Sequence, residues 1–286
     1  MTKPQKLKEL LLSGTAPLAV GIYDGISARI AQNAGFEVCL LSGYGVAASL
    51  LGMPDYGMYT MTEIASVVRN INRVIDIPMV ADGDTGYGNP LNVRRTVQEY
   101  EQAGAAAIQL EDQVFPKRCG HMDGKEVIPM LEHCRKIEMA RATRKDMLIL
   151  ARTDSANTHD TDEAIRRCNA YYEAGADFVL IDAVPYDDLK KVRESIQAPM
   201  MINQVEGGKT KITTREELRE LGFNLICYPT LALFANVYHT KKLLEELVRT
   251  GTSKDMTEEI STFKGWTTLA GLPELQELEK KYVLNK

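Results

Sequence analysis

With 286 residues, 44% hydrophobic and 26% charged, the chain has the composition of an ordinary soluble globular protein, which excludes disorder as the starting point. A formal net charge of -5 without a concentrated basic stretch gives no electrostatic reason to expect nucleic acid as a partner. The length admits two small domains or one α/β barrel, a fold that commonly takes about 250 residues, so the elements must decide.

The N-terminal MTKPQKLKELLLSG has an apolar run too short for a signal-peptide core or a membrane span, which predicts a cytoplasmic protein without membrane contact. Short apolar and β-branched runs then recur, each closed by a polar or glycine-containing turn. They are LAVGIYD (18–24), EVCLLSG (37–43), PMVADGD (78–84), AAIQLED (106–112), MLILARTD (147–154), DFVLIDA (177–183), PMMINQ (199–204) and NLICYPT (224–230). Between them lie amphipathic stretches such as NVRRTVQEYEQAG and DEAIRRCNAYYEAG, whose closing glycines suit helix C-termini. Near-continuously apolar strands separated by helices imply a parallel sheet, and eight such units close a TIM-type (β/α)8 barrel. A doubly wound open sheet is the alternative, disfavoured because no GxGxxG or P-loop pattern follows the first strand. After the eighth strand, ALFANVYHTKKLLEELVRTG reads as a long helix. The expected organisation is a barrel over 1–251 and additional C-terminal helices over 252–286, packed on a neighbouring subunit.

Barrel active sites lie at the C-terminal ends of the strands, and here those ends are polar. Strand two ends in Ser42-Gly43-Tyr44, strand three in Asp82-Gly83-Asp84, strand four in Glu111-Asp112, strand five in Arg152-Thr153-Asp154, strand six in Asp182 and strand seven in Asn203, with Glu206 beyond. Carboxylates gathered at one mouth repel unless a cation sits among them, and hard oxygen donors suit Mg2+ or Mn2+. Helix capping or solvation would explain any one of them alone. In DGDTGYG, two aspartates one residue apart project to the same side of an extended strand. Arg152 suits a substrate carboxylate, because a guanidinium donates two parallel hydrogen bonds; a salt bridge to a neighbouring strand is the other reading.

Five cysteines, at 39, 119, 134, 168 and 227, form no CxxC pair and suggest neither a disulfide framework nor structural zinc. Cys119 stands apart in KRCGH, where basic neighbours favour a thiolate able to move a proton near neutral pH. It falls in the long segment from Gln113 to Pro129, of a length that suits a lid.

Together SGYGVAASLLGMPD (42–55), VADGDTGYGNPLNV (80–93), LEDQVFPKRCGH (110–121), ARTD (151–154) and NQVEGGKT (203–210) resemble, in family order, the isocitrate lyase/phosphoenolpyruvate mutase superfamily. The resemblance implies Mg2+ bound directly by Asp84, with Asp55, Asp82 and Glu111 nearby, largely through water. It implies substrate contacts from Ser42, Gly43, Tyr44, Gly120, His121, Arg152, Asn203 and Glu206. It also implies a lid carrying Cys119, an exchanged C-terminal helix and a homotetramer. In the superfamily's carbon–carbon lyases the KRCGH cysteine protonates the carbanion left by cleavage, whereas phosphonate mutases and hydrolases generally lack the motif. Tyr44 and a water held by the carboxylates are both candidates for the base that takes the hydroxyl proton.

Two positions depart from the pattern. Strand six ends in Asp182 where the methylisocitrate branch has a glutamate. Leu231, beside Thr230, stands where a hydroxylated residue is expected, and an apolar side chain there favours an alkyl substituent. The motifs look closest to dimethylmalate-type and petal-death-type lyases, with methylisocitrate lyases next. The expected reaction is cleavage of a small 2-hydroxy dicarboxylate, first (2R,3S)-2,3-dimethylmalate to pyruvate and propionate, then 2-methylisocitrate to pyruvate and succinate. Oxaloacetate hydrolysis or decarboxylation, phosphonate transfer and a non-enzymatic scaffold are the alternatives.

Overall fold

The computed structural model describes residues 1–120, 122 and 124–283. Its strands are β1 (Leu18–Ile22), β2 (Val38–Leu41), β3 (Met79–Asp82), β4 (Ala107–Glu111), β5 (Leu148–Thr153), β6 (Phe178–Ile181), β7 (Met201–Asn203) and β8 (Leu225–Tyr228), one within each expected run. All neighbours pair in parallel in the order β6-β5-β4-β3-β2-β1-β8-β7. A parallel bridge between Val179 and Met200 joins β6 to the start of β7, leaving a nearly closed TIM-type barrel surrounded by helices.

Helix α1 (Lys3–Leu12) precedes β1, and α2 (Gly25–Asn33) follows it. After β2 come α3 (Gly43–Val46), a π-helical turn at Ala47–Leu51 and α4 (Met61–Asn72). Further round lie α5 (Pro90–Ala103), α6 (Met130–Thr143), α7 (Ser155–Thr158), α8 (Thr161–Ala174), α9 (Leu189–Ser195) and α10 (Arg215–Leu221). Local chemistry sets their ends. Asn89 caps α5 by accepting from Leu91 N at 2.9 Å, with Pro90 in the first turn, and Gly104 ends that helix in the left-handed region at φ +96°. Gly175 does the same for α8.

The two faces of the strands divide the core. Outward residues such as Ile108, Leu110, Ile149 and Val179 pack under the helices. The inward series runs Val38-Leu40-Ser42, Val80-Asp82, Ala107-Gln109-Glu111, Leu148-Leu150-Arg152, Phe178-Leu180-Asp182 and Met201-Asn203. Its lower, apolar members form a second cluster with Leu7 and Leu11 of α1. Alternation therefore carries each of these six strands from a packed floor to a polar rim.

The chain divides into two compact units, Met1–Leu233 and Phe234–Lys286. This division lies near the start of α11 (Leu231–Thr250), a helix whose only buried residue is Leu233, and not after Gly251. The second unit continues with α12 (Phe263–Leu269) and α13 (Leu272–Tyr282). Its cavity of about 860 Å³, lined by residues of 234–259, includes none of the strand-end polar groups. No described helix is long and apolar enough to cross a membrane.

Candidate active site

Two charge clusters meet at the rim. The first gathers Asp55, Asp82, Asp84 and Glu111, all at most 7% exposed. Asp82 and Asp84 come together differently from the sequence expectation. Strand β3 stops at Asp82, and Asp84 takes a left-handed conformation at φ +46°, so a turn and not strand alternation pairs them. The Asp84 N–H then donates to Asp82 Oδ1 at 3.1 Å. Gly43 N–H donates to Asp82 Oδ2 at 3.2 Å, and the Tyr59 hydroxyl to Asp84 Oδ1 at 2.7 Å. A Cβ at Gly43 would lie 2.1 Å from the Tyr59 hydroxyl, so only glycine lets the β2 turn reach this cluster.

Lys117 enters the cluster from the lid, its ammonium 2.7 Å from Asp55 Oδ1 and 3.0 Å from Asp84 Oδ1. Arg152 Nε lies 3.4 Å from Glu111 Oε2 but is shared with Asp154, so it and Lys117 do not balance the four carboxylates. Burial pushes Asp84 up to about 7, with Lys117 opposing and Asp82 and Asp55 adding to the rise. Burial likewise holds Glu111 well above the ordinary carboxylate range against Arg152 and Lys117. Asp84 Oδ2 and both Glu111 oxygens are buried without hydrogen-bond partners. Hard oxygens left unpartnered and gathered at one point fit a divalent cation. Among the described residues, no group of three or more His, Cys, Asp or Glu side chains is spaced to hold an ion directly.

The second cluster centres on Arg152. Its Nε and Nη2 donate to Asp154 at 2.9 and 3.0 Å, and Nη2 also to Asp182 Oδ2 at 3.1 Å. Asn203 Nδ2 donates to Asp182 Oδ1 at 2.8 Å. Asp182 thus links guanidinium and amide. Although burial alone would raise Asp154, Arg152 and Lys125 hold its carboxyl well below the ordinary range. Behind it, Asp112 accepts the Asp154 N–H at 3.0 Å and the hydroxyls of Thr153 and Tyr171 at 2.7 Å each. Arg167 completes that network at 2.9 Å and also donates to the Ile128 carbonyl at 2.9 Å, tying the clamp to the lid's exit.

The lid lies down on both clusters. Its base pairs Gln113 with Val127, and Ile128 N–H donates to the Asp112 carbonyl at 2.8 Å. Cys119 N–H donates to the Asp55 carbonyl at 3.2 Å, while Lys125 bridges the Gly120 carbonyl and Asp154. A Cβ at Gly120 would overlap Asp182 Oδ2, so a side chain there would lift the lid off the clamp. The half-buried Cys119 lines one cavity with Ser42, Tyr44, Arg152, Asp182 and Asn203. Burial raises the Tyr44 phenol, with Cys119 and then Asp55 adding to it, so Tyr44 keeps its proton at neutral pH. Lys117, one of the basic residues near Cys119 in sequence, pairs its ammonium with Asp55 and Asp84. The cavity is about 50 Å³, below the roughly 300 Å³ at which ligand pockets begin, so the lid must lift to admit a dicarboxylate.

Most of the expected residues converge here. Asp55, Asp82 and Gly120 line the cavity, whereas Asp84 and Glu111 lie buried behind it and Gly43 supports Asp82. Glu206 is outside the lining and accepts from the Thr230 hydroxyl at 2.9 Å, and Thr230 itself reaches the lining. Leu231 is 44% exposed and outside the lining. His121 lies outside the described residues. Sequence reasoning missed Tyr59, Lys125 and Gln109. Only Gln109 left a signal, as a polar residue two before Glu111 inside an apolar strand.

The phosphoenolpyruvate phosphomutase family model matches residues 7–248. The chain is similar to 2,3-dimethylmalate lyase of Eubacterium barkeri, at 39% identity over 289 residues and 100% of both chains. It is also similar to 2-methylisocitrate lyase of Aeropyrum pernix, at 38% identity over 266 residues, covering 93% of this chain and 86% of the relative. Among solved structures, oxaloacetate acetylhydrolase in complex with the inhibitor 3,3-difluorooxalacetate superposes with a TM-score of 0.93 at 30% identity, over 98% of this chain and 97% of the other.

Proposed function

The chain belongs to the phosphoenolpyruvate mutase/isocitrate lyase family as a carbon–carbon lyase, and from that premise we propose that it cleaves a 2-alkylmalate, with (2R,3S)-2,3-dimethylmalate the first choice, to pyruvate and propionate. One observation carries the reading. The cavity joins the Cys119 thiol and the Arg152 clamp to an apolar contribution from Leu40, Val205 and Pro229 that suits alkyl groups. Among the described lining residues Arg152 is the only cation, so a third carboxylate would meet only neutral donors such as Ser42, Tyr44 and Thr230, and 2-methylisocitrate ranks behind.

Arg152, braced by Asp154 and Asp182, would bind a substrate carboxylate and fix C2 and C3 against the lid. Mg2+, or Mn2+, held by Asp84 with Asp82, Glu111 and Asp55 around it, would neutralise the negative charge that develops on the substrate oxygens. Tyr44, which lines the cavity, and water held by the carboxylates are the groups that would take the hydroxyl proton. As the C2–C3 bond breaks, C2 becomes the carbonyl of the 2-oxo acid and the bonding pair stays on C3. Cys119 then delivers its proton to C3. The closed lid excludes water that would otherwise compete as the acid.

The same reading makes the protein a cytoplasmic homotetramer with an exchanged C-terminal helix and a small dicarboxylate as its partner. A coupled pyruvate assay over 2-alkylmalates, 2-methylisocitrate and oxaloacetate tests the substrate. The expected result is the highest kcat/KM for 2,3-dimethylmalate, with propionate formed mole for mole with pyruvate. Acetate from oxaloacetate, carbon dioxide or a phosphorus-containing product as the main outcome would displace the proposal.

A further inference from the structure

Gln109 stands one inward position below Glu111 on β4, opposite Asp82 in the β3–β4 register. It is 2% exposed and lines the cavity. Its Nε2 donates to Asp82 Oδ1 at 3.2 Å, and that bond fixes which way the amide faces. Turning it over would set a carbonyl oxygen against a carboxylate oxygen. The remaining Oε1 is buried without a partner. Asn203 repeats the arrangement on β7, its nitrogen committed to Asp182 and its Oδ1 left over.

Two buried carbonyl acceptors thus border a cavity meant for a ligand whose carboxylates are themselves acceptors. The hydroxyl of a 2-hydroxy dicarboxylate is its one donor. We infer that Gln109 is a specificity-determining residue whose carbonyl oxygen accepts from the substrate hydroxyl in the bound ground state, before that proton passes to the base, selecting 2-hydroxy acids over the same skeleton without that group; the inference rests on the 2-alkylmalate reading above. An acid lacking the donor leaves the acceptor buried and unpaired, and its affinity falls accordingly. Asn203 already belongs to the substrate contacts implied by the family resemblance, whereas Gln109 does not.

Calorimetric titration of the Mg2+-loaded chain with 2-methylmalate and 2-methylsuccinate reads this preference, with Cys119→Ser in the background to hold back turnover. These ligands differ only in the hydroxyl. With Gln109 present, 2-methylmalate should bind about tenfold to a hundredfold more tightly. Gln109→Met, close in volume, should bring the ratio near unity, chiefly by weakening 2-methylmalate. Gln109→Asn, which keeps the amide and withdraws it by one methylene, should do the same and serves if the methionine variant does not fold. A preference preserved in either variant, or an equal loss of both ligands, overturns the inference and leaves Gln109 as a support for Asp82. If the parent chain binds neither ligand, the 2-alkylmalate reading fails and this inference with it.

Discussion

Single side chains divide the labour at the rim, and two substitutions test that division. Burial pushes the Cys39 thiol up to about 12 and raises those of Cys168 and Cys227, leaving them as inert core groups. Cys119 is the half-buried cysteine of the cavity. Cys119→Ser should keep the fold and metal binding yet lower kcat by at least about 10²–10⁴-fold, because a hydroxyl is a far weaker acid. Unchanged turnover would transfer the acid role elsewhere. Asp84→Ala should abolish activity and also the thermal stabilisation that Mg2+ gives the parent chain, a gain of roughly 5–10 °C at saturating metal. Full parent activity after exhaustive chelation would contradict the metal assignment.

At the level of elements, helices α6 and α8 meet behind the lid. His133 of α6 packs edge-on against Tyr171 of α8, ring centroids 4.5 Å apart. Burial, helped by Lys136 and Arg167, lowers the His133 pKa to about 3, far below the 6.5 of a free imidazole. The folded chain therefore refuses a proton that the unfolded chain binds between pH 6.5 and 3. Stability rises with pH through that window and is lost as the solution is acidified. His133→Phe keeps an aromatic ring against Tyr171 and removes the titration. Its unfolding free energy from denaturant titrations should depend less on pH between 6.5 and 5, by up to about 1.4 kcal/mol per pH unit. An unchanged slope would place the acid sensitivity in other groups.

For the whole molecule, the second unit leaves unusual apolar area open: Val248 is 87% exposed, Phe263 85%, Tyr282 69% and Leu275 60%. Such surface on a 31.8 kDa chain suits burial against other copies of it, in line with the tetramer proposed above. Light scattering should give a native mass near four protomers. Phe263→Asp combined with Leu275→Asp should shift it toward the monomer. A parent chain that is monomeric at micromolar concentration and fully active would count against the assembly.

The eight strands and the polar rim were legible in the sequence because strand alternation is local: apolar residues in phase with Ser42, Asp82, Glu111, Arg152, Asp182 and Asn203 fix which ends face one mouth. The motif order likewise carried the family. Other features depended on residues far apart in the chain. The left-handed turn at Asp84, the pairing of Lys117 with Asp55 and the bond from Thr230 to Glu206 each follow from which groups tertiary packing brings within hydrogen-bonding distance. Asp112 read as a strand-end carboxylate, and only its contacts with Arg167, Tyr171 and the Asp154 N–H reveal a brace between clamp and lid. Periodicity specifies the face on which a side chain lies, but charge pairing in a buried site is decided by three-dimensional proximity and by the cost of leaving a charge unpaired.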